Sequence, residues 1–241
     1  MNTAFYSSAT GMIYTQQGLD IIANNMANTQ TVGYKSLRPS FSDVLYTIPR
    51  EQTPDVQEGH GAYITKTDLM LTMGTLERTS SMLDFALPNE GFFAVADGQG
   101  NISYTRNGAF TISQIGEQWE LVDASGRFVL DYEGNHIIVP FEELSENIID
   151  YTALTKNVGV FTFDNPYGLE AGGENTYLQT LSSGEATAAP LLDKLAGALE
   201  RSNVDIATEM IKALEAQRSY QLNARILQTA DEFQRIANTL R

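Results

Sequence analysis

From Val204 to Leu240 the chain repeats one pattern. Ile206, Met210, Ala213, Gln217, Tyr220, Ala224 and Leu227 recur in alternating steps of four and three, and Ile226, Ala230, Phe233, Ala237 and Leu240 continue it. That spacing gathers small and apolar residues into one stripe of a single α-helix, which would be about 55 Å long at a rise of about 1.5 Å per residue. No sheet of a small domain is long enough to cover so narrow and extended a stripe, so it needs a helical partner. Ser202 followed three residues later by Asp205 reads as a capping-box-like start. The run from Leu191 to Glu200 is therefore expected to be a separate helical segment, or one kinked onto the main helix.

The other chain end offers the partner. Phe5, Met12, Leu19 and Met26 fall seven apart, with Ala9, Ile22 and Ala23 filling the turns between them, which predicts an amphipathic helix of about 25 residues. Gly11 and Gly18 lie inside it, each costing about 1 kcal/mol relative to Ala in an isolated helix, so this helix should be marginal alone. The Asn-rich run Asn24-Asn25-Met26-Ala27-Asn28-Thr29 ends it, and Gly33 is expected to terminate it. Phe5, Met12, Leu19, Ile22 and Met26 are the expected assembly interface of the first helix. Ile206, Met210, Tyr220, Leu227, Phe233 and Leu240 are that of the last.

Between the helices the texture changes to short runs of β-branched and aromatic residues punctuated by Gly, Asn and Asp. Gly91 to Ala96, the turn Asp97-Gly98-Gln99-Gly100-Asn101 and Ile102 to Arg106 read as strand, turn and strand, and Asn107-Gly108 is a further turn signal. More strands are expected at 63–73, 119–122, 128–130, 136–139 and 158–163, with turns at Ser125-Gly126 and Glu133-Gly134-Asn135. The fold class is accordingly α+β: long N- and C-terminal helices forming a coiled-coil-like assembly domain, with an all-β domain in the centre. The boundaries fall at 1–38 for the N-terminal assembly helix, 39–61 for a linker or extended loop, 62–185 for the β domain and 186–241 for the C-terminal assembly helices.

Charge follows the same division. The net charge of -15 is concentrated in residues 39–190, with 22 acids against 6 bases, while 191–241 carries seven of each. An acidic middle repels a phosphate backbone, so nucleic acid is not an expected partner. Neutral ends can approach copies of themselves. No window reaches the roughly 18 to 20 apolar residues of a membrane span, and the first residues lack the basic start and apolar core of a cleaved signal. Neither membrane insertion nor a secretory leader is expected. The absence of Cys excludes disulfides, thiolate nucleophiles and Cys-ligated metal.

Catalytic readings are weak. His60 and His136 are the only imidazoles and stand in no spacing with a nucleophile, so they read as surface or half-buried residues. Glu142, Glu143, Glu146 and Asp150 could form an acid/base or cation site, but in so acidic a middle they read as a solvated loop. Asp97 to Asn101 has part of a calcium-loop pattern without its later bidentate Glu, and is better read as a hairpin turn. Asn101-Ile102-Ser103 fits a glycosylation acceptor but, with no leader, carries no weight. No cofactor is implied.

Three strings, in order, carry a resemblance. Thr10-Gly11-Met12 with Gln16, Leu19 to Asn28 and Thr31-Val32-Gly33-Tyr34-Lys35 resemble the N-terminal signature of bacterial flagellar axial proteins. Gly91 to Val95 followed by Tyr104-Thr105-Arg106-Asn107-Gly108-Ala109-Phe110 resembles the start of the β domain in flagellar basal-body rod proteins. Leu199 to Asp205, Glu209-Met210, Gln217-Arg218-Ser219-Tyr220 and Thr229 to Glu232 resemble the C-terminal signature of rod and hook proteins. The resemblance implies a non-enzymatic subunit of the rod that spans the cell envelope, self-assembling through its terminal helices into an axial driveshaft that transmits torque to the hook. It implies copies of itself, other rod and hook proteins and the flagellar type III export apparatus as partners. Hook-type and other axial subunits, a wall-degrading glycan hydrolase and a binding module whose helices merely dimerise are the alternatives.

Overall fold

The computed structural model describes residues 3–43, 62–116, 118–140 and 149–239. Among them are the α-helices α1 (Thr3–Ala27), α2 (Tyr151–Asn157) and α3 (Ile206–Thr239), and the fold is α+β. The chain divides into a helical unit of residues 1–27, 37–70 and 204–241 and a β-unit of residues 28–36 and 71–203.

In the helical unit α1 and α3 pack along one another, and α1 also carries a two-stranded antiparallel ribbon of β1 (Leu37–Asp43) and β2 (Ala62–Leu69), which has a bulge between Ser40 and Phe41. Residues 39–43, expected within a linker, are therefore strand, and 44–61 lie outside the described residues. Asp205 of the expected start holds the end of α3, its carboxylate accepting the Ala207 and Thr208 backbone N–H groups at 3.3 and 3.2 Å. An Asp side chain reaches the free N–H groups of a first turn directly, and the Thr208 hydroxyl and N–H groups hold its pKa below the usual carboxylate value. Helix α1 stops at Ala27, well before Gly33, because the chain turns at Asn28, whose carbonyl accepts Thr31 N–H at 3.1 Å.

The β-unit strands are β3 (Leu76–Arg78), β4 (Phe85–Ala86), β5 (Phe92–Ala96), β6 (Ile102–Thr105), β7 (Thr111–Ile115), β8 (Gln118–Val122) and β9 (Phe128–Val129). After α2 come β10 (Val160–Thr162), β11 (Glu170–Gly173), β12 (Thr176–Leu178), β13 (Thr187–Ala188), β14 (Leu195–Ala196) and β15 (Ala198–Glu200). The main sheet runs β11-β12-β6-β5-β9-β8-β7, and β10 joins β5 to β13. Strand β5 is its centre: one edge pairs with β6, while the other pairs with β10 at Phe92 and Phe93 and with β9 at Val95 and Ala96. Every residue of β5 is buried, as expected for an apolar run without alternation. Phe85, Phe93, Val95, Phe110, Leu121 and Val129 form the core with Leu154 of α2 and Val158.

Three expectations need correction here. The central region is not all β, since α2 interrupts it; Asp150 caps that helix by accepting Thr152 and Ala153 N–H at 2.9 and 3.0 Å, and Leu154 seats it in the core. The run 191–200 is not helical, because Gly197, at φ +72°, breaks it between two short strands, β14 paired to β4 and β15 paired to β3. Residues 136–139 make only isolated bridges, Leu130 to His136 and Glu120 to Ile138.

One turn recurs three times in the sheet: Asp97 to Asn101, Asp123 to Arg127 and Asp131 to Asn135. In each, one carboxylate oxygen of the Asp accepts the N–H groups two and four residues on, at 2.8 to 2.9 Å. The fourth residue is a Gly with φ of +82° to +85°, a region where a Cβ is strained. The Asp97 carboxylate is thus engaged by its own turn. In the second turn Arg127 Nε also donates to Asp123 at 2.7 Å, and Asp123 is buried. Asp123→Ala orphans those N–H groups and should lower the urea unfolding stability of the β-unit by about 1 to 3 kcal/mol; an unchanged midpoint would show the turn holds without its carboxylate.

Candidate assembly site

The helical unit places the first set of expected interface residues together. Phe5, Met12, Leu19 and Met26 are half-buried and Ile22 is buried. On the same face of α1, Ser8 and Gly18 are buried and Gly11 lies against α3: a Cβ there would sit 2.9 Å from Asn223 Nδ2. Gly11, which weakens the isolated helix, therefore admits the Asn223 side chain, whereas a Cβ at Gly18 would be in ordinary contact with the Phe41 ring at 3.9 Å.

Helix α3 has two faces. Towards α1 it turns a mixed row that includes three alanines, with Glu209 and Ala230 buried and Ala213, Ala216, Tyr220, Asn223 and Leu227 half-buried. About half a helical turn away, Ile211, Leu214, Leu222, Ile226, Phe233 and Ile236 form a second, exposed apolar row. Tyr220 and Leu227 belong to the first row and Phe233, 70% exposed, to the second. Ile206 and Met210 are exposed between the rows, and Leu240 lies outside the described residues.

A polar clasp registers the helix pair. Asn25 Oδ1 accepts Leu37 N–H at 2.9 Å, and its Nδ2 donates to Leu37 O at 2.8 Å and to Glu209 Oε2 at 3.3 Å. Glu209 also accepts Lys212 Nζ at 2.6 Å. Asn25 thereby links the end of α1, the start of β1 and the first turns of α3 through one amide.

The β-unit holds a second cluster, of buried charge. Glu200 Oε1 accepts Lys35 Nζ at 2.5 Å and Gly74 N–H at 2.8 Å, and Oε2 accepts Arg106 Nη1 at 3.2 Å. All three side chains are almost wholly buried. Burial pushes the Lys35 amine and the Arg106 guanidinium below their ordinary pKa, against the opposing pull of Glu200. Lys35 also donates to Thr72 O at 2.9 Å, and the Arg106 guanidinium lies over the Phe92 ring. Gly33 N–H donates to Glu200 O at 2.7 Å. Gly33 sits at φ +68°, and a Cβ would meet the Arg106 carbonyl carbon at 2.4 Å. Gly33→Ala is therefore expected to lift residues 28–36 off the rest of the β-unit and destabilise it by more than about 2 kcal/mol, since left-handed strain and a backbone clash add. Limited proteolysis cutting no faster near residue 33 would refute this.

Lys35, Arg106 and Glu200 each lie inside one of the strings that carry the family resemblance, yet none was singled out from the sequence. Only Arg106 offers a signal, as a lone charge in a neutral stretch; Glu200 is followed directly by Arg201, and Lys35 by Arg38 three residues on. Of the acid/base candidates, Asp150 is occupied as a helix cap, and His136 is half-exposed, stacked on Phe128 with Nδ1 3.2 Å from Glu120 Oε2. His60, Glu142, Glu143 and Glu146 lie outside the described residues.

Comparison with known proteins follows the same three segments. Residues 5–35 match the family described as flagella basal body rod protein, 86–155 the flagellar hook protein FlgE/F/G D1 domain, and 195–240 the flagellar basal body rod FlgEFG protein C-terminal region. The flagellar basal-body rod protein FlgG of Borreliella burgdorferi is 34% identical over 100% of this chain and 99% of its own. That of Bacillus subtilis is 33% identical over 96% of each, and that of Caulobacter vibrioides 32% over 99% of each.

Proposed function

Because the chain belongs to the flagellar basal-body rod protein family, we propose that it builds the rod by polymerising through its helical unit, each α3 presenting its outer apolar row to a neighbouring copy. It is a structural subunit of the flagellar basal body. The observation that supports the polymerising role is the second row of α3, an apolar stripe that the chain's own α1 leaves exposed. Water exposure of so long a row is unfavourable, and a second copy suits it because residues 204–241 carry five acids and five bases. Head-to-tail contacts that do not close on themselves generate a filament, and such a tube could serve as the driveshaft between motor and hook.

Other rod and hook proteins are the expected neighbours at the two ends of that filament, and passage through the flagellar type III export apparatus is the expected route. A marginal α1, ordered only by its partner, suits threading. The role needs no catalysis, no cofactor and no nucleic acid. Deleting the gene should give non-motile cells whose basal bodies stop before the hook; motile cells with complete hooks would overturn the reading. Sedimentation of the purified protein at rising concentration separates it from a dimerising module, which saturates at two copies.

A further inference from the structure

We infer that the Glu200 cluster is a mechanical clamp, which carries tension between the two chain segments leading to the long helices. The inference rests on the rod reading for its purpose, since only a driveshaft subunit needs to resist sustained load. Its geometry stands in the β-unit alone. That unit receives the chain from α1 at residue 28 and releases it towards α3 at residue 203. Close behind these two points, the segments bond directly to one another. Gly33 N–H donates to Glu200 O at 2.7 Å, Ser36 N–H to Asn203 Oδ1 at 2.8 Å, and Lys35 Nζ to Glu200 Oε1 at 2.5 Å. A pull applied at 28 and 203 loads these bonds together with the Gln30–Arg201 bond at 2.9 Å and the tie of Val32 O to Asn175 in the β11–β12 turn at 2.8 Å.

The chemistry of the cluster suits that task better than it suits stability. Buried ion pairs are often matched or exceeded by apolar residues of the same volume in folding free energy. What charges add is direction. Charge-assisted hydrogen bonds are short, oriented and roughly twice as strong as neutral ones, so they resist sliding of one segment past another, whereas apolar contact is non-directional. The carboxylate is also cross-tied: Gly74 N–H and Arg106 anchor it to two further parts of the β-unit. Lys35, Arg106 and Glu200 come one each from the three segments matched separately to the rod and hook families.

The test is single-molecule pulling on the full chain. The sequence has no Cys, so paired handles can be placed uniquely, at Ala27→Cys with Ala207→Cys across the clamp, or at Gln99→Cys with Glu133→Cys on two exposed turns of the sheet. The background change is Lys35→Met, which removes the charged tie between the two segments and leaves Glu200 paired with Arg106 and accepting Gly74 N–H. Across the clamp, the unfolding force of the β-unit should fall about twofold; between the sheet turns it should not move. An equal fall in both geometries would reduce the cluster to ordinary stability, and no fall in either would remove its role; both outcomes overturn the clamp. If Lys35→Met does not fold, Lys35→Gln is pulled in the same two geometries under the same criteria. Because the measurement uses the monomer, its failure is separate from failure of the rod reading, which the deletion strain decides.

Discussion

Glu200→Ala should leave the β-unit marginal or unfolded at room temperature. The substitution removes the only carboxylate that Lys35 and Arg106 contact among the described residues and strands two cations that are almost wholly buried. Breaking a buried pair from one side costs about 3 to 5 kcal/mol, a large part of the roughly 5 to 15 kcal/mol that holds a domain together. Gly74 N–H loses its acceptor as well. Trp119, the single tryptophan, lies in β8 and reports the unfolding of this unit by fluorescence in urea. The exposed Glu170→Ala is the control and should shift stability by less than about 0.5 kcal/mol. A Glu200→Ala midpoint within that margin would mean that the three charges do not depend on one another.

The rhythm of the long helix is legible in the sequence because helical period is a local property: each residue is compared only with those three and four away. Its partition into two faces is less so. A strict seven-residue repeat drifts by about 20° per heptad around a straight helix, so the series from Ile206 begins between the rows and joins the face on α1 by Leu227, whereas Ile226 and Phe233 of its continuation are offset by one residue, about 100° round the helix, and lie on the outer row. The small residues that meet α1, such as Ala213, Ala216 and Ala230, give a weak signal beside the larger Ile211, Leu222 and Phe233 opposite them. The charged cluster was harder still to find. Lys35 and Glu200 lie 165 residues apart in the chain, and a charged residue in isolation reads as solvated surface. Helix α2 is only seven residues long with Leu154 as its one buried side chain, too little for a period to register. The Asp turns were partly legible, because Gly beside a polar residue marks a turn, but their common five-residue form became visible only with the hydrogen bonds of Asp97, Asp123 and Asp131 side by side.

Phe233→Asp and Leu222→Asp should abolish swimming while leaving the purified monomer folded. Both side chains are exposed on the outer row of α3, so in the monomer a carboxylate there stays in water and should change stability by no more than about 0.5 kcal/mol. In a filament that covers this row, the same carboxylate is desolvated without a partner, at a cost of several kcal/mol per contact, repeated in every subunit. Leu227→Asp is predicted to behave differently. Leu227 is half-buried on the row that faces α1, so a charge there acts on the helix pair inside one chain, and circular dichroism should show helix loss before any assembly step. The comparison separates two interfaces on one helix: helical, monomeric and non-motile for the outer row, partly unfolded and non-motile for the inner. Normal swimming with both Phe233→Asp and Leu222→Asp would show that the outer row stays in water in the assembled rod, and the subunit contact would then have to be sought on another surface.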